Sequence, residues 1–286
     1  MIEYPQHNKI PGYFARYKIA EFLLEDIPEG DITTVGILKK KDRTTAVIQA
    51  EEDLVFCGEQ ILSYFFDDSF ELDLKVHDSD RVQTNDEIAR INGATIPILT
   101  IERVMLNLLQ RLCGIATLTS KFVEIAKPYN VRILDTRKTT PGLRIFEKYA
   151  VNSGGGFNHR MDLSSGILIK DNHIKAAGGI ANAIKKIKER NYKLPLEIEV
   201  ENTEQIKEAM EEYVDGILLD NMSPAKIIEC VKLIRSFSNG DGVFIEASGG
   251  INLNTIADYV KTGVDAISVG SLTHSAKGVN IHLEFL

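Results

Sequence analysis

From residue 131 onward the sequence keeps one rhythm, and that rhythm limits the fold more than any other feature. Short apolar runs at Val131–Leu134, Gly166–Ile169, Leu196–Val200, Gly216–Leu219, Val243–Ile245 and Ala266–Val269 alternate with longer stretches of helical spacing. Those stretches are Ala176–Arg190, Thr203–Tyr213, Pro224–Phe237 and Leu253–Thr262. Ser223 before Pro224 is a good N-cap followed by proline at the first helical position. A short run rich in β-branched residues and bounded by polar ones reads as a strand buried on both faces. Strand and helix repeated in series predict a parallel sheet, and this many repeats favour an α/β barrel over an open sheet.

Each run also ends in the same kind of chemistry. Arg137/Lys138, Lys170/Asp171, Glu199/Glu201, Asp220/Asn221, Glu246/Ser248 and Gly270 follow or close the six runs. Barrels gather their chemistry at the C-terminal ends of their strands. Residues 135 to 173 hold most of the cationic part: Arg137, Lys138, His159, Arg160 and Lys170. Any one of these could be paired with a nearby carboxylate. As a set at strand ends they need an anion to offset their repulsion, and guanidinium groups bind carboxylate or phosphate bidentately. The formal net charge of −8 makes such a cluster more informative. Gly154-Gly155-Gly156 fits no phosphate-binding glycine pattern and is read as a sharp bend that presents His159 and Arg160.

Glu199 and Asp220 lie one strand apart and offer hard oxygen ligands of the kind Mg²⁺ takes alongside substrate phosphates. They could equally neutralise Lys138 and Lys170, and both readings stay open. Ser248-Gly249-Gly250 precedes a helical stretch, and Gly270-Ser271 follows the last run. Loops in these positions bind phosphate in many barrels, through backbone N–H groups and a helix N-terminus. His274 is close enough in sequence to join them.

The first half is less regular. Residues 1 to 14 read as an irregular arm, 15 to 26 as a helix, and EGDITT as a turn. Residues 44 to 58 suggest two β runs around a bend, 59 to 66 a short helix, and 70 to 99 a small β-rich region. Residues 100 to 127 carry the longest apolar stripe, with Thr100 as the expected N-cap and Gly114 as a weak point. Arg103 near the start of that helix is unfavourable against the helix dipole, which directs attention to an anionic partner. On the residues alone that partner is Glu102, another acid, or a ligand.

Composition excludes some classes. Hydrophobic content of 44% and charged content of 26% are ordinary for a soluble globular chain. The acidic balance argues against a nucleic-acid binder. Cys57, Cys113 and Cys230 are far apart, with no zinc spacing, and read as reduced thiols of a cytoplasmic protein. No apolar run approaches a membrane span, and the first residues lack a signal-peptide pattern.

Beyond these patterns, DTRKTTPGLR (135–144), GGGFNHR (154–160) and LIKDNHI (168–174) resemble the quinolinate phosphoribosyltransferase family, the carboxylating nicotinate-nucleotide pyrophosphorylases of NAD synthesis. The resemblance continues through EDIPEGDITT (25–34), IERVMLNLLQRLCGIAT (101–117), EIEVEN (197–202), ILLDNMSP (217–224), EASGGI (246–251) and VGSLTHS (269–275). It implies an incomplete parallel α/β barrel over residues 112–274, joined to an α/β sandwich domain over 1–111 plus 275–286, the type II phosphoribosyltransferase architecture. It implies transfer of phosphoribosyl from phosphoribosyl pyrophosphate to quinolinate with loss of CO₂, assisted by Mg²⁺. Lys138, Lys170, Glu199 and Asp220 would be catalytic. Arg103, Arg137, His159, Arg160 and Lys170 would hold quinolinate, and Ser248, Gly249, Gly250, Gly270 and His274 the phosphates. It further implies a homodimer, or a larger assembly, in which Arg103 enters the neighbouring site. Two rivals compete on the residues alone. A Schiff-base aldolase would use a strand-end lysine, and a non-catalytic nucleotide-binding protein would use the phosphate loops.

Overall fold

The computed structural model describes residues 2–286. Its strands, in chain order, are β1 (Arg43–Ala50), β2 (Leu54–Val55), β3 (Glu71–Leu74), β4 (Arg81–Val82), β5 (Glu87–Ala94), β6 (Arg132–Leu134), β7 (Ile167–Ile169), β8 (Leu196–Val200), β9 (Gly216–Asp220), β10 (Phe244–Ser248), β11 (Ala266–Ser268) and β12 (Ile281–Phe285). The chain divides into two compact units. One comprises Met1–Gln6, Lys121–Thr139 and Gly156–His274; the other comprises His7–Ser120, Thr140–Gly155 and Ser275–Leu286. The boundary within the helix Thr95–Ala126 falls between Ser120 and Lys121, where the expected one fell after residue 111. The helix Arg144–Ser153 also belongs with the sandwich unit.

In the sandwich unit, four antiparallel strands run in the order β12-β1-β5-β3. β1 buries Ala46, Val47, Ile48 and Ala50. The helix Thr95–Ala126 buries Met105, Leu109, Leu112 and Ala116 completely along one stripe. It begins earlier than the apolar stripe suggested. Pro97 is tolerated because the first-turn N–H groups lack intrahelical partners anyway. Thr100 is therefore not a cap: it lies inside the helix, and its hydroxyl donates to the Ile96 carbonyl at 2.9 Å. Arg103 falls two turns in, so the dipole argument for an anionic partner lapses, because that effect fades within the first turn. Gly114 does not break the helix. A Cβ there would stand 2.0 Å from the Lys277 carbonyl oxygen, so the glycine serves a close backbone approach.

The other unit is the incomplete barrel. Its sheet runs β6-β11-β10-β9-β8-β7, every neighbouring pair parallel. β6 and β7 do not pair with each other among the described residues. Residues 156–158 extend the β6 edge: Phe157 N–H donates to the Ile133 carbonyl at 2.7 Å and Asp135 N–H to the Phe157 carbonyl at 3.0 Å. The helix expected over Ala176–Arg190 is two helices, Asp171–Ala177 and Ile180–Glu189, broken where Gly178 and Gly179 take φ of 83° and 129°. The expected helix over Leu253–Thr262 shrinks to Ile256–Tyr259. The segment expected to be an irregular arm is partly built in. Ile2 and Tyr4 are buried in a cluster with Leu134, Phe244 and Ala266.

Candidate active site

The parallel strands put a two-residue period of side chains into one cavity. Successive side chains of a strand point to opposite faces, so i and i+2 share a face. Leu168 and Lys170 come from β7 and the residue after it, Glu199 from β8, Leu218 and Asp220 from β9, Glu246 and Ser248 from β10, and Ser268 from β11. With Thr136, Arg137, Lys138, His159, Arg160, Asn221, Gly249 and Gly250 they line a cavity of about 460 Å³. Most of the expected site thus converges on one hollow. A second hollow of about 800 Å³ beside β7 is walled mainly by aliphatic side chains and touches none of Glu199, Asp220 or Ser248–Gly250.

The charges are arranged, not merely near one another. Lys170 Nζ is ion-paired with Glu199 Oε2. The Lys138 main chain is fixed from two sides: its N–H donates to Thr136 Oγ1 at 3.0 Å, and its carbonyl accepts from Thr273 Oγ1 at 2.7 Å. Gly270 lets Lys138 and His274 pass close. A Cβ there would meet Lys138 Cδ at 3.0 Å and His274 Nε2 at 3.2 Å. Neither Gly270 nor His274 itself lines the cavity, and His274 is exposed. Gly249 has φ of 95°, and a Cβ on it would stand 2.3 Å from Asn221 Oδ1, so both its conformation and its space require glycine. Arg160 is buried. Burial first, and Arg137 second, push its guanidinium below its ordinary pKa. Two guanidiniums so placed leave a demand for negative charge. Arg103 is apart from this set: it lies in the sandwich unit, beside Glu25, Asp26 and Arg111 in another hollow.

The cavity wall continues into a buried group in which the sequence marked His159 and Glu246 but not Glu197. His159, Glu197 and Glu246 are all buried, with donor atoms within 4.8 Å of one another. His159 Nε2 stands 3.4 Å from Glu197 and 3.5 Å from Glu246. Its Nδ1 accepts the Arg160 backbone N–H at 2.7 Å. That N–H can only donate, so Nδ1 carries no proton and the ring is the neutral Nε2–H tautomer. Both ring nitrogens are therefore engaged away from an incoming anion. A metal bound at Nε2 would need the proton on Nδ1, which this hydrogen bond forbids, so the trio does not fit a metal ion. Burial, then repulsion from Glu197, pushes Glu246 up to about 7. Asp135, fully buried, accepts from His159 N–H at 2.8 Å and from the Asn158 amide at 2.7 Å. A signal for Glu197 does exist in the sequence: acids two residues apart in an apolar strand, Glu197 with Glu199, share the inward face.

Comparison with known proteins now decides the family. Residues 115–284 match the quinolinate phosphoribosyl transferase C-terminal domain, and residues 31–113 match its N-terminal domain. The chain belongs to the quinolinate phosphoribosyltransferase family. It is 41% identical over 267 residues to the probable carboxylating nicotinate-nucleotide pyrophosphorylase of Bacillus subtilis, covering 92% of this chain and 90% of that protein. It is 37% identical over 276 residues to the carboxylating nicotinate-nucleotide pyrophosphorylase of Mycobacterium leprae, covering 94% and 96%. The solved nicotinate-nucleotide pyrophosphorylase of Francisella tularensis superposes with a TM-score of 0.93 at 38% identity, over 99% of this chain and 100% of that one. Human nicotinic acid phosphoribosyltransferase shares the fold at 11% identity, with a TM-score of 0.62. The quinolinate phosphoribosyltransferase fold by itself therefore does not fix which pyridine acid is used.

Proposed function

We infer that this chain is a carboxylating nicotinate-nucleotide diphosphorylase of NAD biosynthesis, a phosphoribosyltransferase that joins quinolinate to phosphoribosyl pyrophosphate. The observation that carries the choice of acid is the pair Arg137 and Arg160 beside Lys138 and Lys170 in one cavity. With Lys170 ion-paired to Glu199, the two guanidiniums alone still exceed the charge one carboxylate balances. Quinolinate brings two. Arg137 and Arg160 hold them, and His159 contributes by fixing the Arg160 main chain rather than by donating to the acid.

In the reaction the bond from the ribose anomeric carbon to pyrophosphate breaks as the ring nitrogen of quinolinate bonds to that carbon. Lys138 and Lys170 stand ready as fixed ammonium groups for the charge gathering on pyrophosphate, a preorganised electrostatic contribution. Ser248, Gly249 and Gly250 bind phosphate through main-chain N–H groups and a short side chain, while Gly270 and His274, outside the cavity lining, flank Lys138. Alkylation makes the ring cationic. The carboxylate next to the nitrogen then leaves as CO₂, its electron pair stays on the ring carbon, and that carbon takes a proton. No second cofactor is needed. Glu199 and Asp220, hard carboxylates on adjacent strands of the cavity, fit Mg²⁺. These two residues would hold the ion, which would supply charge neutralisation for the leaving group.

The aldolase alternative is weakened because Lys170 Nζ is engaged by Glu199 in an ion pair rather than left open toward a carbonyl. We further propose a cytoplasmic homodimer in which Arg103 completes the partner's site. The test of that assembly is a mixture of Arg103→Ala and Lys138→Ala chains, which recovers activity only if sites are shared. The test of the reaction is kcat/KM for quinolinate and for nicotinate with saturating phosphoribosyl pyrophosphate and Mg²⁺. A preference for quinolinate of at least ~100-fold, about 2.7 kcal/mol, is expected. Equal values would sink the dicarboxylate clamp.

A further inference from the structure

Residues 2–6 pack into the barrel unit, where Ile2 and Tyr4 join its core. The Tyr4 ring lies on the His159 imidazole, with centroids 4.5 Å apart and planes inclined by 24°. Its hydroxyl donates to Glu197 Oε2 at 3.3 Å, the same oxygen that faces His159 Nε2 at 3.4 Å. Burial, with Glu197 and Glu246 nearby, pushes the phenol far above its ordinary pKa, so it stays a donor. Two residues on, Gln6 clasps Asn158. Its amide donates to the Asn158 carbonyl at 3.2 Å, and its carbonyl accepts the Asn158 N–H at 2.8 Å. Gly166, just before β7, leaves the space: a Cβ there would stand 2.5 Å from Tyr4 Cε1.

Tyr4 does not line the cavity. What it touches does. The face of His159 is covered by the phenol ring, its Nε2 edge by the two glutamates, and its Nδ1 edge holds Arg160. Removing the ring would free the imidazole to tilt and would unseat the acceptor of the Arg160 backbone N–H. We propose that Tyr4 is a positioning residue: acting through His159, it fixes Arg160 and so sets the affinity of the site for its pyridine carboxylate substrate. Gln6 secures the same loop one residue earlier. The assignment of Arg160 to the acid rests on the function proposed above; the contact of Tyr4 with His159 does not.

Two conservative variants separate positioning from bulk stability. Tyr4→Phe keeps the ring and loses the hydroxyl. Tyr4→Leu keeps apolar volume and loses the ring. Tyr4→Leu is expected to raise KM for quinolinate at least about fivefold while KM for phosphoribosyl pyrophosphate stays within about twofold, since small misplacements of a clamp are costly. Tyr4→Phe is expected to stay within about twofold of the parent for both, because the stack remains. A merely structural residue would lower the melting temperature or the active fraction without separating the two KM values. The second readout needs no substrate. The ring-proton resonances of His159, assigned among the six histidines, should carry the upfield shift of a stacked ring, lose it in Tyr4→Leu and keep it in Tyr4→Phe. If Tyr4→Leu does not fold, Tyr4→Met, which also keeps apolar volume without a ring, is measured in its place with the same expectation. Unchanged KM values, or two KM values that move together, overturn the proposal, as does a His159 resonance indifferent to Tyr4→Leu. A parent chain that does not turn quinolinate over sinks the proposed function instead, and the ring shift still decides whether Tyr4 holds His159.

Discussion

Replacing Glu246 by glutamine isolates the electrostatic cost of the buried group at the cavity wall. The Glu246 carboxyl is fully buried, with the Ser268 hydroxyl beside it favouring its charged form. Facing it are Glu197, which repels its charge, and His159 and Lys170, which favour it; burial outweighs them and moves it from 4.5 to about 7. A carboxyl raised on folding contributes stability that is fully present below the unfolded value and is lost as pH rises through the folded one. The loss is partial at pH 5.5 and nearly complete at pH 8.5, because most of the window between 4.5 and about 7 lies between them. Glutamine mimics the protonated acid and never ionises. Relative to the parent, Glu246→Gln should therefore gain about 2 kcal/mol between pH 5.5 and pH 8.5. Urea unfolding of both proteins at those two pH values measures the difference. Curves that keep a constant separation, or a variant that loses ground in alkali, would refute the account.

Three further outcomes test the site and the scaffold. Asp220→Asn should lower kcat by roughly 10²–10³-fold with little change in melting temperature, since a half-exposed strand-end carboxylate serves charge placement and not packing; steady-state kinetics at saturating Mg²⁺ checks it, and near-parent turnover would remove Asp220 from the machinery. Gly249→Ala forces a side chain into a left-handed conformation and onto Asn221, at a cost of about 1–3 kcal/mol; KM for phosphoribosyl pyrophosphate should rise more than KM for quinolinate. Gly114→Ala gains about 1 kcal/mol of helix propensity but meets the Lys277 carbonyl, a backbone atom that cannot swing aside, so overpacking of about 1–3 kcal/mol or more should win. A raised melting temperature would show that the close approach relaxes freely.

The barrel was legible because its information is local. Six apolar runs mark six strands, and their ends mark one side of the sheet, so Arg137, Lys138, Lys170, Glu199, Asp220 and Ser248 could be placed together before any coordinates. Helix limits were less legible, for definite reasons. Thr100 has the chemistry of a cap, yet Ile96, Pro97 and Ile98 before it continue the helix, and Ile98 is fully buried. Gly178-Gly179 punctuates a stretch whose hydrophobic spacing runs straight across it. Gly114 looks like a weakness from propensity alone, because the backbone that needs it arrives from residues 277 and 278.

Glu197 was hidden for a different reason. A glutamate at a strand end and a glutamate two residues deeper have the same letter and the same face, and only depth separates them. Glu199 meets Lys170 at the cavity wall, whereas Glu197 meets His159 and Tyr4 below it. Tyr4 lies 155 residues from His159 in sequence. No periodicity can announce such a contact, since its partners belong to different segments and nothing in the pattern around Tyr4 points to His159. The strand-end groups that meet substrates are therefore readable from composition and spacing. The groups that hold them in place are chosen by packing, and they become visible only once the strands are set side by side.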